Sequence, residues 1–324
     1  MIPKVFVTKK IPENGLKLLK KHFNVKVWSK NKAIPKKDLI KNVKNADALL
    51  CLLTDKIDKE VIKANPNLKA ISNYAVGFDN IDIEAATKYK IPVANTAGVL
   101  SHAVAEHTIG LMLAVAKRIV ESDKFTRAGK YKGWEPMLFL GHCLRGKTLG
   151  IVGYGRIGSI TAEIAHKGLK MNVIYYSRNR KKDLERDHKS VFVSLNELMK
   201  KSDVISLHVP LTKETKHLIN SKRLSMMKKT AYLINTSRGP VLDEKALFHI
   251  LKNKKIAGAA IDVFEHEPNI TKGLKNLNNI VMTPHIASAA LEAREKMSEV
   301  AAQNIIDILK GRKTKNLVNK EVLK

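Results

Sequence analysis

Thr148-Leu-Gly-Ile-Val152 runs directly into Gly153-Tyr154-Gly155-Arg156-Ile157-Gly158, and this junction limits what the chain can fold into. The five-residue run reads as a buried strand. Ile157–Lys167 then carries helical spacing, and a second strand ends at Tyr176. A GxGxxG at a strand–turn–helix–strand boundary is the dinucleotide fingerprint. Gly153 permits the tight turn, and Gly155 lets backbone approach a pyrophosphate. Gly158 allows the helix to pack closely on the strand, while the helix N-terminus, with Arg156 and Ile157, faces the phosphates. Outside this context the same glycines would mark only an ordinary βα turn.

The rest of the chain extends that pattern in both directions. Lys4–Thr8, Val25–Trp28, Ala48–Leu52, Leu68–Ser72 and Val93–Asn95 are β-like. Asn14–Lys21, Lys36–Lys44, Lys59–Ala64 and Ile81–Lys90 space their apolar residues as helices do. A stretch from Ser101 to about Lys130 reads as one long helix, apolar on most sides, which calls for burial between domains or subunits. A second series of strands follows: Thr148–Val152, Asn172–Tyr176, Val204–His208, Ala231–Asn235, Ala257–Asp262 and Ile280–Met282. Glu292–Lys310 is helical. Strands alternating with helices imply parallel sheets covered on both faces. With 324 residues, 44% of them hydrophobic, the chain can bury two cores. The expected class is α/β with two doubly wound parallel-sheet domains: residues 1–100 with 288–324, and residues 101–287.

Several function classes are set aside on composition. The longest apolar run near mid-chain, Ile109–Ala116, falls well short of the roughly 20 residues a spanning helix needs, and Met1–Lys10 lacks the apolar stretch of a signal peptide. A soluble, cytoplasmic protein is expected. Cys51 and Cys143 stand far apart, so neither a disulfide framework nor a metal site is suggested; Cys51 reads as a buried strand residue and Cys143 as a loop residue. The 59 basic and 30 acidic residues give a net charge of +29. The lysines are spread along the chain on polar helix faces, with no tail-like basic run and no nucleic-acid-binding signature. Solvated faces that attract a small carboxylate and a phosphorylated cofactor fit better than nucleic acid.

About 20 residues after the glycine loop, an acidic side chain would bond the ribose 2′-hydroxyl of NAD(H). Here Ser177 stands at that position, followed by Arg178, Arg180, Lys181 and Lys182. A carboxylate would repel a 2′-phosphate, whereas serine and guanidinium groups can bind one. NADP(H) is therefore favoured, with NAD(H) as the alternative.

Reduction of a 2-keto acid further needs an anchor for the carboxylate, a proton donor at the carbonyl oxygen and a group that tunes that donor. Arg238 in Asn235-Thr-Ser-Arg-Gly-Pro, Glu267 in Asp262-Val-Phe-Glu-His-Glu-Pro and His285 in Thr283-Pro-His-Ile-Ala-Ser each follow a strand of the second series. Ligands of open parallel sheets bind at those strand ends. His266, between two glutamates, reads as exposed. Asp79 and Asp82 read as turn and helix-cap residues.

In these segments, and in Asn73-Tyr-Ala-Val-Gly-Phe-Asp-Asn-Ile-Asp82, the chain resembles the D-isomer-specific 2-hydroxyacid dehydrogenase family over nearly its whole length. The resemblance implies a Rossmann-type nucleotide domain and a flavodoxin-like substrate domain. It implies that Arg238 binds the substrate carboxylate and polarises the carbonyl. His285 would then act as general acid/base, with Glu267 raising its pKa. The amides of Val76 and Gly77 would hold the carboxylate, with Leu53 and Trp134 as pocket walls. Thr108, Val209, Pro210, Thr236, Ser237, Asp262 and Ser288 would lie near the cofactor. Val209 departs from the family in lacking a hydroxyl. His166–Met171 is one residue longer than usual, which bears on where Ser177 and Arg178 fall. His142 and His208 match no role.

Trp134-Glu-Pro-Met-Leu-Phe-Leu-Gly141 and Tyr175-Tyr-Ser-Arg-Asn-Arg-Lys181 look closest to the glyoxylate and hydroxypyruvate reductases. The expected substrate is thus a small 2-keto or 2-hydroxy acid. A larger D-2-hydroxy acid and a cofactor-sensing, corepressor-like binder are the competing readings. The resemblance and the apolar Ser101–Lys130 stretch imply a homodimer.

Overall fold

The computed structural model of the chain describes residues 1–30 and 32–323. The chain divides into two compact units, Met1–Leu100 with Ala289–Lys324, and Ser101–Ser288. The second crossing thus falls one residue later than the boundary read from sequence.

In chain order, the first unit contains β1 (Lys4–Val7), α1 (Glu13–Lys20), β2 (Asn24–Val27), α2 (Lys36–Val43), β3 (Ala48–Leu52), α3 (Lys59–Lys63), β4 (Ala70–Tyr74), α4 (Ile83–Lys88) and β5 (Val93–Ala94). The second contains α5 (Ser101–Ala116), α6 (Ile119–Arg127), β6 (Thr148–Val152), α7 (Arg156–Lys167), β7 (Asn172–Tyr176), α8 (Lys182–His188), β8 (Val191–Phe192), α9 (Leu195–Lys201) and β9 (Val204–Leu207). It continues through α10 (Ser221–Leu224), β10 (Tyr232–Asn235), α11 (Glu244–Lys252), β11 (Gly258–Ile261) and β12 (Ile280–Met282). The chain then returns to the first unit in α12 (Leu291–Leu309). Among the described residues no helix is long and apolar enough to cross a membrane.

Both sheets are parallel throughout, in the orders β2-β1-β3-β4-β5 and β12-β11-β10-β9-β6-β7-β8. Parallel sheets bury both faces, which is why β9, β10 and β11 are buried along their whole length. The strand order reverses between β1 and β3 in the first unit, and between β6 and β9 in the second. Crevices for ligands open at such reversals, beyond the carboxyl ends of the strands.

Two local expectations are corrected. The stretch 101–130 is not one helix: α5 stops at Ala116, and Arg118 takes a left-handed conformation (φ 56°). The Ala116 carbonyl, which a continuous helix would offer to residue 120, accepts the His142 amide at 2.9 Å instead. Arg118 forks onto Glu121 at 2.9 and 2.7 Å, and α6 buries no residue. α5 covers its apolar face within its own unit, against α7, β10 and β11. The strand expected at Leu68–Ser72 begins two residues later, because the Asn65 side chain donates to the Val43 and Ala46 carbonyls (2.9 and 2.8 Å) and holds 65–68 in a turn. Asp82 does cap α4, accepting the Ala85 amide at 2.8 Å. Cys51 is buried and Cys143 exposed.

Candidate active site

The glycine loop closes the reversal in the second sheet. Gly153 (φ 100°) donates its amide to the Tyr176 carbonyl at 2.8 Å, and a Cβ there would meet the His208 carbonyl at 2.7 Å. The end of β6 therefore touches the end of β9 only because residue 153 is glycine. A Cβ on Gly158 would overlap the Gly153 carbonyl. Gly155, which precedes α7, is different: a Cβ there would meet no protein atom within 4 Å. Packing does not demand glycine at 155, whereas close approach of a pyrophosphate does. α7 has no acidic residue in its first turn, so its positive end, with Arg156 and Ile157, suits an anion. The residues present fit a dinucleotide.

β7 pairs residue for residue with β6 as far as Val152↔Tyr176, the longer 166–171 stretch being absorbed in a turn through Lys170 (φ 54°). Ser177 therefore follows directly on the strand end, its hydroxyl donating to the Asn179 carbonyl at 2.5 Å. Arg178 is exposed. Arg180 forks its guanidinium onto Glu185 at 2.8 and 2.9 Å.

Thr108 on α5 and Thr236 after β10 share a 2.8 Å hydrogen bond between hydroxyls. Ser237 donates backbone and side chain to the Asn235 carboxamide oxygen (3.1 and 2.8 Å). Val209 and Pro210 follow β9, with Val209 against Gly153. Burial pushes His208 down to about 3, so it is a neutral partner of the Ser206 hydroxyl, 2.8 Å away.

Asp262 follows β11 and is fully buried. Its Oδ1 accepts Thr283 Oγ1 (2.6 Å) and the Ile286 amide (2.8 Å), and its Oδ2 accepts the Ala287 amide (2.8 Å). Its carbonyl accepts the His285 amide at 2.8 Å, which also reaches the Thr283 carbonyl at 3.0 Å. The carboxylate thus holds the loop that runs to Ser288 and fixes His285 in a left-handed conformation (φ 55°). His107 on α5 supports the same cluster through Thr283 Oγ1 at 3.2 Å.

Arg238, Glu267 and His285 follow β10, β11 and β12, three neighbouring strands. His285 Nδ1 lies 2.9 Å from Glu267 Oε2, and Glu267 Oε1 accepts the Phe264 amide at 3.0 Å. Burial works against ionisation of Glu267. The His285 contact, the Phe264 amide and the Arg238 guanidinium outweigh it and hold the carboxyl below its ordinary value. A carboxylate on Nδ1 commits that nitrogen as the donor. Nε2 has no hydrogen-bond partner among the described residues. Gly239, next to Arg238, packs against the neighbouring loop so closely that a Cβ would overlap the Phe264 carbonyl.

A buried carboxylate that no sequence motif marks braces this loop. Glu244, buried at the start of α11, accepts the Glu265 amide and the Thr271 hydroxyl, the latter at 2.7 Å. Glu265 in turn contacts His217 at 2.6 Å. Only the position of Glu244, two residues past an apolar turn, hinted at burial. His266 is exposed, as read.

In the first unit, Leu53 follows β3 and Val76 and Gly77 follow β4, at adjoining strand ends. Asn80 ties these loops together: its Nδ2 donates to the Leu52 and Asp55 carbonyls (3.1 and 3.0 Å), and its Oδ1 accepts Asn73 Nδ2 at 3.0 Å. The Val76 and Gly77 amides bond no acceptor among the described residues, while their carbonyls accept Asn95 and Asn73 at 2.8 Å. Trp134 is 83% exposed.

Residues 109–287 match the model for the NAD binding domain of D-isomer specific 2-hydroxyacid dehydrogenases. A glyoxylate reductase of Thermococcus litoralis is 53% identical over the full chain and 98% of its own length. One from Thermofilum pendens is 54% identical over 99% of this chain and 96% of its own. Among solved structures, a Thermus thermophilus protein superposes with a TM-score of 0.91 at 42% identity, covering 97% of this chain and 99% of that one. An NADPH-dependent glyoxylate/hydroxypyruvate reductase of Sinorhizobium meliloti, in complex with NADP and malonate, gives 0.87 at 28% identity, covering 99% and 98%. With its glycine loop, its strand-end residues and these relatives, the chain belongs to the nicotinamide-dependent D-isomer specific 2-hydroxyacid dehydrogenases.

Proposed function

We propose that this dehydrogenase uses NADPH to reduce a small 2-keto acid, glyoxylate or hydroxypyruvate, to the 2-hydroxy acid, and runs the reverse reaction with the oxidised cofactor. The observation that carries this is the His285–Glu267 pair, which commits Nδ1 and leaves Nε2 for substrate. When bound, the nicotinamide supplies the hydride. Arg238 pairs with the substrate carboxylate and polarises the carbonyl. His285 gives its Nε2 proton to the carbonyl oxygen as the C–H bond forms at the adjacent carbon, and takes it back in the reverse direction. Glu267 holds the ring in one tautomer and stabilises the imidazolium. The Val76 and Gly77 amides bind the carboxylate, with Leu53 beside them.

Preference for NADP(H) is supported by Ser177 and Arg178, which stand where an acidic residue would favour NAD(H), and by the NADPH-dependent neighbour. The small substrate is supported by the printed activity of the relatives. Initial rates of NADPH and NADH oxidation with glyoxylate, hydroxypyruvate, pyruvate and a bulky 2-keto acid test both. Fastest turnover is expected with NADPH and one of the two small acids. Preference for the bulky acid would overturn the substrate assignment, and no turnover with any would overturn the enzyme reading.

The enzyme is further proposed to be a homodimer. Ile119, Tyr131, Trp134, Met137 and Leu140 all lie exposed within one stretch of 22 residues, from 119 to 140. Apolar exposure of that kind marks an interface, and Trp134 would then meet the second copy. Size-exclusion chromatography with light scattering at low concentration should give twice the 36.2 kDa chain mass; monomer alone would count against it.

A further inference from the structure

The glycine loop and the basic loop are joined by a continuous set of contacts. Tyr154, buried between Gly153 and Gly155, stacks on Tyr175 with ring centroids 4.1 Å apart and planes at 21°. Its hydroxyl bonds Ser190 Oγ at 2.9 Å, beyond the end of α8. The Tyr175 hydroxyl accepts the Lys181 amide (2.8 Å) and donates to Glu185 Oε1 (2.6 Å). Glu185 receives both arms of the Arg180 fork. The Glu185 side chain is 14% exposed and that of Arg180 is 56% exposed, so the carboxylate is the more sheltered partner of the pair.

The Arg180–Glu185 pair within this arrangement is ionised at neutral pH. Arg180 first, then Tyr175, hold the Glu185 carboxyl down at about 2, while burial and Glu185 push Tyr175 up to about 12 and keep its hydroxyl a donor. A guanidinium forked onto a carboxylate has spent the geometry with which it would clasp a phosphate. Arg178, two residues earlier, makes no hydrogen bond with a described residue, and its charge reaches the exposed Glu214 carboxylate, which it helps to lower.

We propose that Glu185 sets the enzyme's selectivity at the 2′ position of the adenosine ribose, by holding Arg180 to itself and leaving Ser177 and Arg178 to meet a 2′-phosphate. The proposal rests on the reading of the basic loop as the ribose site. Glu185 is a positioning residue: it acts through Arg180 and touches no cofactor atom.

Calorimetric binding of NADPH, NADH, adenosine 2′,5′-bisphosphate and AMP to the wild type, Glu185→Gln and Glu185→Gln/Arg180→Ala tests it. Glu185→Gln should tighten the two 2′-phosphorylated ligands about tenfold relative to their unphosphorylated counterparts, the size of one added charge-assisted bond. The double variant should lose that gain. Tyr175→Phe, which keeps the ring stack and removes the hydroxyl that aims Glu185, should move the ratio the same way by less. An unchanged ratio in Glu185→Gln would overturn the proposal, as would weaker binding of the 2′-phosphorylated pair. So would a gain that survives Arg180→Ala, since loss of a negative charge alone would then explain it. The wild-type NADPH-to-NADH ratio separately reports on the cofactor preference. A wild type that favours NADH overturns that preference and leaves the role of Glu185 to be read from the variants.

Discussion

Replacing His285 with alanine is expected to lower kcat by a factor of about 10²–10⁴, the usual worth of a positioned general acid, with little change in the dissociation constant of the cofactor. The asymmetry follows from where the ring is fixed. Its Nδ1 is engaged by Glu267, its backbone by Asp262 and Thr283, and only Nε2 is left to act on substrate. The glycine loop, Ser177 and Thr108 lie on other elements and keep their contacts. Residue 285 has φ 55°, a conformation that costs alanine and histidine alike about 1–2 kcal/mol. His285→Asn is the natural control, because asparagine tolerates that region better: it should fold at least as well and remain as slow. Single-turnover rates and cofactor titration separate the two effects. Collapse of cofactor binding, with turnover of the bound complex preserved, would refute the role given to His285.

Asp262→Asn is expected to reduce stability and turnover together. Both carboxylate oxygens accept backbone amides, Ile286 on one and Ala287 on the other. Whichever way an asparagine turns, its NH₂ group faces an N–H donor. A buried donor left without an acceptor costs about 1–3 kcal/mol, and asparagine adds a second donor beside it. The loop can escape only by moving those amides, which flank His285. Thermal melts and kcat at saturating cofactor should therefore fall in the same variant. An unshifted melt together with unchanged kcat would show that the carboxylate does not hold the loop.

The parts of this enzyme that sequence made legible are those set by local rules. Strand β6, its glycine turn and helix α7 follow from apolar spacing and from steric demands at residues 153 and 158. Arg238, Glu267 and His285 could be placed after strands because each strand is a short apolar run ending in polar residues. What could not be read depends on contacts across the fold. Lys117 and Arg118 suit a helix interior, and the carbonyl that would continue the helix is taken by the His142 amide, 26 positions away. β8 has two residues, too few for any period. Arg180 looked open to a phosphate because a basic run gives no sign that a carboxylate five residues on will fold back over it. Glu244 stands in the first turn of α11, where an acid also suits the helix dipole, and its burial depends on the 264–271 loop laid against it.

The contact between Gly239 and the Phe264 carbonyl also bears on how such an enzyme can diverge. Arg238 belongs to one loop and Glu267 to the other, yet the two backbones meet with no room for a methyl group. A new substrate could be accommodated by lengthening or retilting either loop only if its neighbour shifted in the same step, since changes at touching sites do not add. The two segments are in that sense a single heritable character. A substitution that retilts 235–241 therefore calls for a matching change in 262–268.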